Sequence, residues 1–258
     1  MNDRASFSSS HQSPQQAWNQ RQPIFEEERR YFNLIDLHKL TQAWLHELNP
    51  ADADTAHRLE RVIRPELAQN LWLLEKIKLD QLPPELSRMV DAQSVGEFLN
   101  ELEETVQIVQ ITTLENALDH TTDAVGLMNL LEKVSWKHGK SIAERRWPDF
   151  SGSADLSGHE PKKYFQALTD SPLWTPSAKH ELPFLLERST PSRCSFYWLQ
   201  SPHAKPSLSI SPRVMELCQL SHELIRGFFY GLSRSLKVDI VPTLLHERKV
   251  YHLTLRHD

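Results

Sequence analysis

The sequence predicts an α+β protein: a helical N-terminal half, then an α/β domain in which helices pack on an antiparallel sheet. Three observations predict it. Through residue 147, apolar residues recur at three- and four-residue steps in one segment after another. From about residue 181 the helical spacing gives way to short sheet-like segments, 181–189 and then Phe196, Trp198 and Leu199. The stretch 214–232 returns to helical spacing with Val214, Leu217, Cys218, Leu220, Leu224, Ile225, Phe228 and Phe229, and after Gly231 the pattern changes to alternation.

Each element follows from local chemistry. Residues 1–22 are rich in Ser, Gln and Asn and have almost nothing to bury, which predicts a flexible tail. An acidic triplet, suited to the positive end of a helix dipole, then opens a helix that carries Tyr31, Leu34, Ile35, Leu40 and Trp44 and ends at Asn49-Pro50. A second helix is expected over 55–77, either kinked at Pro65 or divided there into two, and Pro83-Pro84 break the chain after it. Ser94 and Glu97 have capping-box spacing at the head of a run through Leu114. The β-branched cluster 106–113 could form a strand, but apolar residues continue at helical spacing on both sides and favour helix.

The next helix spans 124–147, a loop rich in Gly, Ser and Asp follows over 149–158, and 162–168 is a short helix broken by Pro172 and Pro176. Pro212 suits the first turn of the helix that follows. Val238, Ile240, Leu253 and Leu255 alternate with polar neighbours, and 246–249 reads as the turn of an antiparallel hairpin. The expected organisation is a tail (1–22), a helical module (23–122) and an α/β domain (123–258).

Composition narrows the function classes. A chain of 258 residues with 39% hydrophobic content and a mean hydropathy of -0.51 can bury a full core. A net charge of -5 gives no general attraction to phosphate backbones, so nucleic acid is not an expected partner. No apolar run approaches the roughly 20 residues of a membrane-spanning helix, and the N-terminus lacks the apolar middle of a signal peptide. Two cysteines far apart in sequence then read as reduced thiols in a cytoplasm. With seven glycines and neither G-x-G-x-x-G nor G-x-x-x-x-G-K, nucleotide-dependent chemistry loses its support. Thirteen histidines are not organised by any H-E-x-x-H or C-x-x-C, and Ser221 beside His222 lacks a G-x-S-x-G elbow.

Cys218 and His222 are four apart, which places them on one helical face about 6 Å from each other. That geometry suits a thiol nucleophile with an imidazole base, or two metal ligands; a buried cysteine acting as a small hydrophobe is the commoner outcome and the favoured one. No metal is favoured. Zinc or iron, if bound, would take Cys194, Cys218, His222 and His252, with His246 or Glu223 as other fourth donors. Phe196, Tyr197, Trp198, Phe228, Phe229 and Tyr230 either wall a pocket for an apolar or heterocyclic ligand or fill the core. Arg226 either meets a ligand carboxylate or is solvated.

Cys194 at the head of the region, Cys218 in a C-x3-H helix ahead of Arg226-Gly227-Phe228-Phe229, and a closing hairpin together resemble the 4-vinyl-reductase-type domain and its relative, the L-2-aminothiazoline-4-carboxylate hydrolase-like family. The resemblance covers roughly residues 130–258, and 130–147 is similar to the helix that opens the domain in the hydrolase-like relatives. It implies helices packed on an antiparallel sheet around a small-molecule pocket, sometimes with a metal site, in relatives whose roles run from ligand sensing and ring chemistry to vesicle tethering. The family's hairpin ligands, a glutamate and two cysteines, align here with Val241, Leu244 and Tyr251, so the metal site does not carry over.

The expected function is therefore a non-catalytic regulatory or adaptor protein that binds a small apolar ligand or a protein partner, with the helical module serving association. One alternative is a ring-opening hydrolase acting on a C–N or C–S bond, with Cys218 or Cys194 as nucleophile and His222 as base. A dimeric assembly scaffold is the other.

Overall fold

The computed structural model of the protein describes residues 26–48, 92–147, 161–169, 171, 184–199 and 211–257. In order these form α1 (Glu26–Leu48), α2 (Ala92–Asp119), α3 (Ala124–Arg146), α4 (Pro161–Thr169), β1 (Phe184–Ser189), β2 (Arg193–Trp198), α5 (Val214–Leu232), β3 (Leu236–Leu245) and β4 (Arg248–His257). The expected tail, the helix over 55–77, the Pro83-Pro84 break and the loop over 149–158 lie outside the described residues. The result is a mixed α+β architecture with a helical N-terminal part and one four-stranded antiparallel sheet. No described helix is long and apolar enough to cross a membrane.

α1 is largely buried because it lies between α2 and α3, and several of its polar side chains are matched there. Arg30 donates to Asn100 at 2.6 Å and to Glu103 at 2.9 Å on α2. Asp36 accepts from Arg145 at 3.2 Å and Arg146 at 2.8 Å on α3, and the Trp44 indole donates to Ser135 at 3.0 Å. The cluster 106–113 is helical: Val106, Val109 and Thr113 are buried at helical spacing, so packing overrides β-propensity. α2 starts at Ala92, which puts Ser94 and Glu97 inside its first turns rather than at the cap. The cap that does form is Asp123, whose carboxylate accepts from the Gly126 amide at 2.8 Å at the head of α3.

α5 packs along α3 more closely than any other described helix pair, and glycine permits it. A Cβ on Gly227 would lie 2.7 Å from the Trp136 carbonyl carbon and closer still to its oxygen, and one on Gly139 would meet the Leu224 carbonyl in the same way. Pro212 falls in the turn before α5, whose N-cap is Arg213. Arg213 binds Asp119 at 2.6 Å and Ser211 donates to Glu115 at 2.7 Å, which ties this entry to the end of α2.

The strand order is β1-β2-β4-β3, antiparallel throughout. Alternation sends Cys194, Phe196, Trp198, Val238, Ile240, Tyr251, Leu253 and Leu255 to the face covered by α4 and α5. The β3–β4 hairpin turns through His246 and Glu247, both at positive φ (48° and 65°), the backbone of a two-residue primed turn. One core runs from the sheet through α5 and α3 to Leu40, Trp44 and Leu114, while a second cluster joins only α1 and α2. The boundary at 122/123 thus falls in the α2–α3 turn, and the main core crosses it.

Candidate functional site

The sequence-selected residues divide between the two faces of the sheet. On the inner face, Cys218 is 1% exposed and in hydrogen-bonding reach of the Tyr251 hydroxyl. Burial, and after it the sulfur, hold the Tyr251 phenol above the usual tyrosine range, so it stays protonated. The His222 ring meets Tyr251 edge to face with centroids 4.2 Å apart, and Trp198 lies 6.0 Å from it. Cys218 and His222 therefore do come together, in a cluster closed by two aromatic rings.

The other proposed ligands are elsewhere. Cys194 pairs with Leu255 and Trp198 with Tyr251, so Cys194 sits four residues along β2 from the Cys218 cluster, about 13 Å. The two thiols are not joined in a disulfide. His252 neighbours Tyr251 on β4 and so projects from the opposite face. Among the described residues no group of three or more His, Cys, Asp or Glu side chains is placed to hold a metal ion. Val241 and Leu244 are exposed aliphatics, so the residues present do not fit the metal site that the resemblance implies.

The aromatics do not enclose one common space. Phe196 packs at a tilt against Phe165 of α4 at 4.8 Å and edge to face against Phe184 of β1 at 5.4 Å. Phe228 meets Trp147 edge to face at 5.5 Å and Phe229 at 5.6 Å, while Tyr230 turns to Trp136 of α3 at 4.9 Å. Consecutive helical residues point about 100° apart, so three in a row are sent to different neighbours. Phe196, Trp198, Phe228 and Phe229 are at most 2% exposed and serve as core. Arg226 is partly exposed and pairs with Glu223 one turn back.

The outer face carries a polar cluster that the sequence reading missed. A bulge between Leu186 and Arg188 turns Glu187 over the sheet. Its carboxylate is bonded by Ser195 Oγ at 2.9 Å, Tyr197 Oη at 2.8 Å and His252 Nε2 at 2.8 Å. These bonds, Tyr197 first, hold Glu187 down at about 2, and the same bond raises Tyr197. A carboxylate this weakly basic is a poor proton acceptor at neutral pH and acts as a fixed anion. Beside it, Arg193, His252, Thr254 and Arg256 line a cleft of about 460 Å³. β3, the edge strand, contributes Asp239 and Val241 from this face and Ile240 from the inner one, and α5, which covers the inner face, contributes Arg226, so the cleft wraps around the β3 edge.

The signal for this face was present as the i, i+2 alternation of Arg193, Ser195 and Tyr197 and of His252, Thr254 and Arg256. Assembling it required the β2-β4 pairing. What the fold and site define is the class of α+β proteins with a helical N-terminal part, a closed thiol–imidazole–phenol cluster inside the sheet and a charged cleft outside it. No family model, curated protein or solved structure matches the chain.

Proposed function

We propose that the chain is a non-catalytic regulatory or adaptor protein, built on a degenerate 4-vinyl-reductase-like domain, that engages a partner protein through the outer face of its sheet. One observation carries this reading. The only thiol with a neighbouring imidazole among the described residues, Cys218, is shut behind Trp198 and Tyr251, whereas the charged groups open to solvent lie on the other side of the sheet. A buried structural cysteine is inert, and a nucleophile must reach its substrate. Position 251, aligned with a family cysteine, does lie beside Cys218, which supports retention of the family's framework without its ligands.

The rival reading is the ring-opening hydrolase. Purified protein incubated with 2-aminothiazoline-4-carboxylate, with ring opening followed by the appearance of a free thiol, separates the two. The adaptor reading expects no turnover by the native chain. Turnover that Cys218→Ala abolishes would overturn it.

A further inference from the structure

The two edges of the sheet differ. β1 is short and broken by the bulge between Leu186 and Arg188, features that discourage pairing with another chain. β3 is longer and runs against β4 without a shift of register, and no strand among the described residues pairs with its outer side. Leu245 and Arg248 close the two-residue turn and so exchange both backbone bonds. Alternation from that pair sends the backbone groups of Leu236, Val238, Ile240, Pro242 and Leu244 away from β4. Pro242 agrees with this phase, since its missing N–H then costs β4 no bond. The Leu236 amide is already taken by the Ser233 carbonyl at 3.3 Å, which leaves its carbonyl and both backbone groups of Val238 and Ile240 on the edge.

We propose that β3 pairs with the β3 of a second copy of this chain, antiparallel and centred on Val238, so that one sheet runs through both protomers. Charge and proline select that register. With Val238 facing Val238, the exposed Lys237 stands directly opposite the second copy's exposed Asp239, and the reverse holds across the two-fold axis. Lys237 already faces Arg256 across β4, so a carboxylate on its other side offsets a like-charged neighbour. Centring on Lys237 or on Asp239 would instead set like charges face to face. Centring anywhere from Ile240 to Thr243 would put Pro242 inside the ladder, where a facing carbonyl would find no donor. In the proposed register Pro242 falls opposite position 234, before β3 begins, and ends the pairing. The two Val238 amides bond each other's carbonyls, and each Ile240 amide reaches the facing Leu236 carbonyl. On the inner face the join brings Leu236, Val238 and Ile240 of one copy beside those of the other, covering the half-buried Val238 and Ile240. A ladder over 236–240 is far shorter than a standard interface of roughly 800 Å² per partner, so the dimer is weak and concentration-dependent.

Sedimentation velocity of the full chain, from about 5 to about 500 µM, tests it, with reversible dimerisation expected at a Kd on the order of 100 µM. Val238→Pro removes the central outward N–H without breaking a bond to β4, and should leave a folded monomer by far-UV circular dichroism across that range. Lys237→Asp or Asp239→Lys alone sets like charges opposite each other at both symmetry-related positions and should weaken association roughly tenfold. The double exchange Lys237→Asp, Asp239→Lys should restore it, a recovery that misfolding cannot mimic and that decides the matter even if Val238→Pro unfolds. A monomer at every concentration, a dimer that persists in Val238→Pro, or a double exchange no stronger than either single change would each overturn the proposal. A persistent dimer would place self-association on another surface, such as the helical N-terminal part. None of these results touches the adaptor reading, which heterocycle turnover decides.

Discussion

Replacing Gly227 by alanine adds one methyl group at the place where α3 and α5 approach most closely. That methyl would sit 2.7 Å from the Trp136 carbonyl carbon and 2.9 Å from its Cα, both rigid backbone atoms, so no side chain can swing aside. Restoring ordinary contact requires the helices to part by about 1 Å, and a gap of that size forfeits a large share of the dispersion energy along the interface. The residues that lose it include Leu131, Ile142, Leu224 and Phe228, all buried. Overpacking of this kind costs about 3 kcal/mol, equivalent to a fall in Tm of roughly 6–12 °C for a chain of this size. Gly96 supplies the control. It lies within α2 with nothing within 4 Å of its would-be Cβ, so Gly96→Ala should gain about 1 kcal/mol from helix propensity alone. Urea denaturation followed by far-UV circular dichroism measures both, with equal m-values required for the comparison. If Gly227→Ala unfolds at the native midpoint, the close α3–α5 approach is refuted.

Two further outcomes concern pH and the hairpin. His38 is 3% exposed, contacts the Gln42 amide at 3.0 Å, and burial lowers it to about 4; burial lowers His138 as well, against partial opposition from Asp36. The unfolded chain takes up a proton on His38 near pH 6.5 and the native chain does not until about pH 4, so stability falls as pH drops through that window, by about 2 kcal/mol at pH 5 from His38 alone. Glu187, which is depressed, hardly enters this difference: its stabilising effect is present above the unfolded carboxylate range and is lost only as pH falls below it. Urea midpoints at pH 7 and pH 5 should therefore converge in His38→Gln, and an unchanged gap would contradict the assignment. His246 and Glu247 both occupy the left-handed region that favours Asn and Gly, so the double change His246→Asn, Glu247→Gly should raise stability by about 1–2 kcal/mol. A lower melting temperature in that variant would mean that the turn is of another type.

Much of the fold was legible because its signals are periodic. The apolar stripe locates the helix over 214–232, although Pro212, expected in its first turn, falls in the turn before it, and flanking positions outweigh the β-branched content of 106–113, which is helical. Helix starts were less legible. Ser94 and Glu97 have the right spacing for a capping box, but spacing alone cannot reveal that α2 begins two residues earlier, at Ala92. The close approach at Gly227 was written in the segment Arg226-Gly227-Phe228-Phe229, yet a glycine inside a helix reads only as a small propensity penalty until the partner helix is known.

The candidate site was harder to read for a geometric reason. Cys218 and His222 share a helical face, a local relation that sequence supplies, and the structure does unite them. Cys194 and His252 could join them only if register and face agreed, and one residue of offset on a strand reverses the face completely. His252 follows Tyr251, so when Tyr251 turns inward towards Cys218, His252 must turn outward to Glu187. The same alternation that removes the fourth donor from a metal site therefore builds the outer polar cluster. Glu187 itself could not be foreseen, since a bulge in β1 brings it over Ser195 and Tyr197 and the segment Phe184–Ser189 carries no glycine or proline to announce it. The division of the sheet into a sealed inner face and a charged outer one follows from strand parity at positions 251 and 252, and partner binding on the outer face would leave the inner cluster undisturbed.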